Sequence, residues 1–217
     1  MRQIHILVEG QTEERLVLRV FQRELADRGV WLTPIVLKTS RAPGRPTHRG
    51  GVSKWPKIEQ EIRILLRNPA VDKVTTLLDF YGLPSDTPGR TGLPAGDAYA
   101  RVKQVEDAIA ERIDDARFLP FLALHEAEAW VLAAAQQLSD MTGLPRLASL
   151  LQDQVTTAGG PELVNDSPDT APSKRILKAY PDYSKVVDGP DAIELLGLTA
   201  LRALCPHLDI WVTQLEE

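Results

Sequence analysis

Four acidic residues hold the positions from which chemistry would start. Glu9 follows the apolar run Ile4–Val8, Asp79 follows VDKVTTLL, and Glu126 and Glu128 follow FLPFLAL and His125. In an open parallel sheet, functional groups collect outside the carboxyl ends of the strands. Acids at three such ends converge if the strands are neighbours. Carboxylates crowded together repel one another unless a cation neutralises them, and an all-oxygen ligand set suits Mg²⁺ or Mn²⁺. Such an ion can orient a phosphodiester and activate water. Any one strand-end acid is more often a solvated residue or a helix cap; the joint occurrence at three ends carries the weight. Glu13 and Glu14 read differently: they fall in a first helical turn, where acids complement the helix dipole, and a capping role is expected.

Other motifs fail. His125-Glu126 begins like H-E-x-x-H, but position 129 is Ala, so no zinc-protease pair forms. Glu9-Gly10-Gln11 lacks the glycines and lysine of a phosphate-binding loop, and Gly10 is expected to let the chain turn sharply after the strand. No nucleophile-elbow signature accompanies the scattered Ser, His and Asp residues. The single cysteine, Cys205, excludes an internal disulfide and a multi-cysteine zinc site.

The net charge of −5 gives the molecule as a whole no attraction to nucleic acid, so such binding needs a local basic patch. One is present. Lys38, Arg41, Arg45, Arg49, Lys54 and Lys57 occur with His48 and without an acid between residues 38 and 57. They are candidates for DNA or RNA phosphate contacts, and Trp55 beside them could stack a base or pack in the core. In NDSPDTAPSKRI, Ser173 can cap a helix whose first turn carries Lys174 and Arg175. Cations are mildly unfavourable there, which makes sense if they face an anion or the acidic cluster; an exposed helix start is the other reading.

The elements that must position these residues alternate. Strands are expected at Gln3–Val8, Val30–Leu37, Val71–Leu78 and Phe118–Leu124, with Pro34 marking an edge or bulge in the second. Helices are expected at Glu13–Asp27, Lys54–Arg67, Asp97–Ile113 and Glu128–Leu138, the first closed by Gly29, and only helices and loops beyond. This alternation indicates an α/β fold with a parallel sheet flanked by helices. We expect a core over residues 1–138 and a helical C-terminal extension over 139–217 packed on it. The N-terminal apolar run is too short for a signal peptide and no segment reaches the roughly 18–20 apolar residues of a membrane span. A cytoplasmic protein is the expectation.

The blocks VEGQTEE, LLDFYGLP, LHEAEAW and NDSPDTAPSKRI, with CPHLDIW near the C-terminus, resemble a bacterial family with a Toprim-like core, domain of unknown function family 4276. That family looks related to the nuclease domains of OLD-type (overcoming lysogenisation defect) proteins and to RloB-like proteins. The resemblance implies a four-stranded, mainly parallel sheet, with Glu9 as general acid or base or metal ligand and Asp79 as the first member of a Mg²⁺-binding Asp-x-Asp pair. The chain departs from this pattern: Tyr81 stands where the second Asp would be. Glu126, Glu128, Asp86 or Asp97 could replace it. The resemblance further implies a metal-dependent nuclease acting on DNA or RNA, often beside an ATPase in phage defence. In that reading Glu9, Lys174 and Arg175 are catalytic, and Glu9, Asp79, Glu126 and Glu128 hold the metal. Two alternatives stand beside it: a non-catalytic sensor or partner subunit of an ATPase, and another phosphoryl transfer on the same acids.

Overall fold

Residues of β1 (Arg2–Val8) alternate between two separate apolar clusters, which is what a strand sandwiched between helix layers must do. Ile4, Ile6 and Val8 enter one cluster and Leu7 enters the other. The structure, a computed structural model, describes residues 1–37, 54–164 and 170–217. After β1 the chain forms a continuous helical rod: α1 (Gln11–Leu16), a π-helical turn (Val17–Phe21) and α2 (Gln22–Ala26). Gly29 ends the connection at φ +75°, a left-handed conformation that favours glycine. The rod packs Leu16, Val17, Val20, Phe21 and Leu25 on the Ile4/Ile6 face.

β2 (Val30–Val36), α3 (Trp55–Leu66), β3 (Lys73–Asp79) and α4 (Ala98–Ile113) follow. Helices α3 and α4 cover the Leu7 face through Ile58, Ile62, Val105 and Ile109. The last strand position is made of two short pieces, β4 (Phe118–Leu119) and β5 (Leu122–Ala123), rather than the continuous strand expected over Phe118–Leu124. Pro120 has no N–H to donate to a ladder. The buried Thr76 hydroxyl bridges the break, donating to the Phe121 carbonyl at 2.8 Å and accepting from the Phe121 N–H at 2.9 Å.

The order is β2-β1-β3-β4, with β5 also on β3, and every pairing is parallel. The four-position parallel sheet with helices on both faces is the expected α/β architecture. Pro34 lies in an edge strand, as its missing donor requires. The order reverses between β1 and β3, so the crevice at their carboxyl ends is the topological switch point.

The helix expected at Glu128–Leu138 divides at Ala134 into α5 (Glu128–Ala133) and α6 (Ala135–Thr142). Among the described residues, five α-helices follow, α7 (Leu147–Ala158), α8 (Pro172–Ala179), α9 (Asp188–Leu196), α10 (Leu198–Leu204) and α11 (Pro206–Glu216), with a 3-10 turn (Pro161–Leu163) after the first. Leu151, Ile176, Ile193, Leu208 and Trp211 from these helices share the apolar cluster of Ile4 and Ile6, so the cluster runs without a break across residue 138. No helix among the described residues is long and apolar enough to cross a membrane.

Candidate metal centre

β1 delivers Glu9 and β3 delivers Asp79 at the switch point, while the turn after β5 delivers Glu126 and the start of α5 delivers Glu128. One carboxylate oxygen each of Asp79, Glu126 and Glu128 lies within 4.8 Å of the other two. The strand register produces this: Leu78 and Asp79 pair with Leu122 and Ala123, so the chain leaving β5 passes directly beside Asp79. Asp79 Oδ1 accepts the Ala127 N–H at 2.9 Å, which holds the turn between the two glutamates over it. His125, immediately before Glu126, is buried and adopts φ +65°, a conformation costly for a non-glycine residue. Its carbonyl accepts the Tyr81 N–H at 3.1 Å and its ring lies 5.0 Å from the Tyr81 ring. Tyr81 is therefore part of the scaffold under the turn.

Glu9 and Glu13 complete an acidic set of five. Glu13 is buried and accepts the Gly10 N–H at 2.9 Å, the capping contact expected of it. It is also close enough to Asp79 and Glu9 to raise both their burden of charge and its own. The chain bends at Gly10 as expected, but at φ −158°, a conformation open to any residue, and its N–H goes to Glu13. At Gly82 an added Cβ would stand 3.0 Å from Glu9 Oε2, so the backbone after β3 packs closely against that carboxylate.

Within this set, the acids whose titration is perturbed are all shifted upward, by burial first and by neighbouring carboxylates second. Asp79 keeps some accessible surface but lies deep among protein atoms. That desolvation, joined by repulsion from Glu13, Glu128, Glu9 and Glu126, holds its carboxyl well above the ordinary range. Burial raises Glu9 and Glu13, and it pushes Glu128 to about 7 despite the nearby Lys185. Lys185 Nζ lies 2.9 Å from Glu128 and 3.5 Å from Glu126. Burial alone would lower this ammonium; Glu128 and Glu126 outweigh it and keep Lys185 above its ordinary value. Among the described residues, five carboxylates against one ammonium make a site rich in hard oxygen donors. The residues fit a divalent cation of the Mg²⁺ or Mn²⁺ kind.

The structure places the other expected site residues elsewhere. Lys174 is exposed, and Arg175 donates through Nε to the Thr170 carbonyl at 2.7 Å and through Nη1 to Gln154 at 3.1 Å. Neither forms an ion pair with the acids among the described residues; from α8 it is the Ser173 N–H that reaches Glu126 Oε1, at 2.6 Å. Asp86 accepts the Trp55 N–H and Asp97 caps α4 through Tyr99 and Ala100, so Glu126 and Glu128 are the acids that join Asp79. Trp55 is buried and donates Nε1 to Glu59, which leaves no face for a base. Lys54 is exposed at the start of α3, and Lys38, Arg41, Arg45 and Arg49 lie outside the described residues. Lys185 had no sequence signal: it sits in the aperiodic segment YPDYSKVV and meets Glu126 across 59 positions. Glu13 had one, its four-residue separation from Glu9 across a turn, but that pattern equally describes a cap.

The C-terminal region of the Burkholderia pseudomallei OLD protein is similar to the chain at 14% identity and a TM-score of 0.44, covering 100% of both chains. The C-terminal region of the Xanthomonas campestris pv. campestris OLD protein, phased with mercury, is similar at 17% identity and a TM-score of 0.41, covering 99% of this chain and 98% of that one. None of the curated proteins compared with the chain matches it. The family model described as "Domain of unknown function (DUF4276)" matches residues 8–216, and the chain belongs to that family.

Proposed function

We propose that the protein is a divalent-metal-dependent phosphodiester hydrolase acting on DNA or RNA. The observation that carries this reading is the convergence of Asp79, Glu126 and Glu128 within 4.8 Å at the switch point of a parallel sheet. Asp79, Glu126 and Glu128 would hold the ion, with Glu9 and Glu13 at its flank. A bound Mg²⁺ or Mn²⁺ would supply Lewis-acid polarisation of a phosphoryl oxygen and a lowered pKa for water. Glu9, made more basic by burial, accepts a proton from water at its carboxylate. Lys185 stays charged and partly exposed beside Glu128, where its ammonium balances charge on a phosphate oxygen. Ser173 and Ala127 amides orient Glu126 and Asp79 and fix the spacing of the donors.

The test is incubation of purified protein with plasmid DNA and with tRNA in Mg²⁺ or Mn²⁺. Wild type is expected to cleave, and Asp79→Ala and Glu9→Ala to lose cleavage. Cleavage that persists in both variants removes the site assignment. One observation favours a second reading, a metal-binding subunit that works through a partner ATPase: Tyr81 supplies packing where the family resemblance implies a second carboxylate. Absence of cleavage with every metal, alone and with a candidate ATPase, supports that reading instead.

A further inference from the structure

We infer that the exposed face of α8 is a backbone-phosphate shelf that carries a polynucleotide strand toward the acidic centre; this rests on reading that centre as a phosphodiesterase. Lys174 and Lys178 are four residues apart and therefore share one face of α8. Like charges at that spacing repel, and Lys174 also stands in the first turn, where the helix dipole disfavours a cation. Most arginines of this acidic protein that have resolved partners are matched with acids, as Arg19 is with Asp191 and Glu194. Lys174 and Lys178 have no ion pair among the described residues.

Both lysines and Arg175 line a concavity of about 410 Å³ with Leu150, Gln154 and Thr170, and no acid among the described residues lines it. Arg175 is held in place by Thr170 and Gln154 rather than by a counter-charge. A second concavity of about 540 Å³ continues past Arg175 and Thr170 to Arg101. Its one acid among the described residues, Asp97, is committed to the amides of Tyr99 and Ala100. The shelf adjoins the acidic centre, because the Ser173 N–H that precedes Lys174 binds Glu126. Three cations of α8 with no acid beside them among the described lining residues, on a helix whose start touches a carboxylate cluster, complement an extended polyanion rather than a neutral or cationic partner.

The experiment is fluorescence anisotropy in EDTA with labelled single-stranded DNA, single-stranded RNA and duplex DNA of one sequence. The Lys174→Ala/Lys178→Ala variant is expected to bind the preferred strand roughly tenfold more weakly in 50 mM salt. Its slope of log affinity against log salt should fall by about 1.4 for a single strand, the value for two lost phosphate contacts. Lys103→Ala, an exposed cation paired with Asp107 on α4, should bind as wild type does. Asp79→Asn should bind but not cleave. Equal thermal melting of the double variant and wild type excludes a folding defect. Wild-type affinity and slope in the double variant overturn the shelf, as does the absence of polynucleotide binding by wild type. Binding loss without Asp79-dependent cleavage leaves the shelf standing and removes the phosphodiesterase reading; Asp79-dependent cleavage with unaltered binding in the double variant does the reverse.

Discussion

Replacing Glu128 by Gln should make the metal-free protein more stable, even as it weakens the site. Glu128 is buried beside Glu126, and its carboxyl is pushed from an ordinary 4.5 to about 7. A carboxyl raised in the folded state favours folding while protonated; that contribution is complete below about pH 4.5 and is lost as pH rises through about 7. Each pH unit between those values is worth about 1.4 kcal/mol, so above pH 7 the ionised Glu128 costs the fold about 3 kcal/mol. Gln cannot ionise and removes that cost. In a chain of this length about 3 kcal/mol corresponds to roughly 6–12 °C in Tm. The assay is thermal melting in EDTA at pH 4.5 and pH 8.5. Glu128→Gln should melt close to wild type at the lower pH and well above it at the higher. Added Mn²⁺ should raise the wild-type Tm and reduce or reverse the gap, because a ligand bound only by the folded state stabilises it. Equal melting of the two proteins at pH 8.5, or a lower Tm for the variant there, would refute the account of Glu128 as a carboxylate whose burial costs the fold stability when it ionises.

Further perturbations separate the site from its scaffold. Gly82→Ala places a Cβ 3.0 Å from Glu9 Oε2 and should lower metal affinity at least several-fold while changing Tm little, as measured by calorimetric titration with Mn²⁺. Thr76→Val removes the hydroxyl that serves both the N–H and the carbonyl of Phe121 and should cost about 2–4 kcal/mol in urea unfolding. His207 is held above its ordinary value, burial opposing and Glu106 prevailing at 3.0 Å. Its contribution is therefore full below about pH 6.5 and fades as pH rises through the folded value. His207→Gln should cost more stability at pH 5.5 than at pH 9 in urea unfolding, and an equal cost at both would refute the pairing.

The sheet was legible because β1 and β3 are buried on both faces and their apolar runs stand out from the polar turns. The three strand-end acids were legible for the same reason, since a strand boundary fixes where Glu9, Asp79 and Glu126 emerge. What escaped was set by single contacts between distant segments. The break at Pro120 depends on a hydroxyl from β3, and Lys185 enters from a segment without periodicity. Lys174 and Arg175 show the limit of position alone: the helix start was visible, but the rotation of α8 sends its Ser173 amide to Glu126 and its long cations to another surface. Glu13 shows that a cap and a site acid can be one residue, a distinction local sequence does not carry.

The claim underlying all of this is that Asp79, Glu126 and Glu128 share a divalent cation. Crystals soaked in Mn²⁺ and measured near the manganese absorption edge test it directly. The account predicts an anomalous peak about 2.0–2.6 Å from carboxylate oxygens of Asp79 and of at least one of the two glutamates, absent in crystals of Asp79→Asn. Full soaking with no peak at these acids, or an undiminished peak in Asp79→Asn, would contradict it.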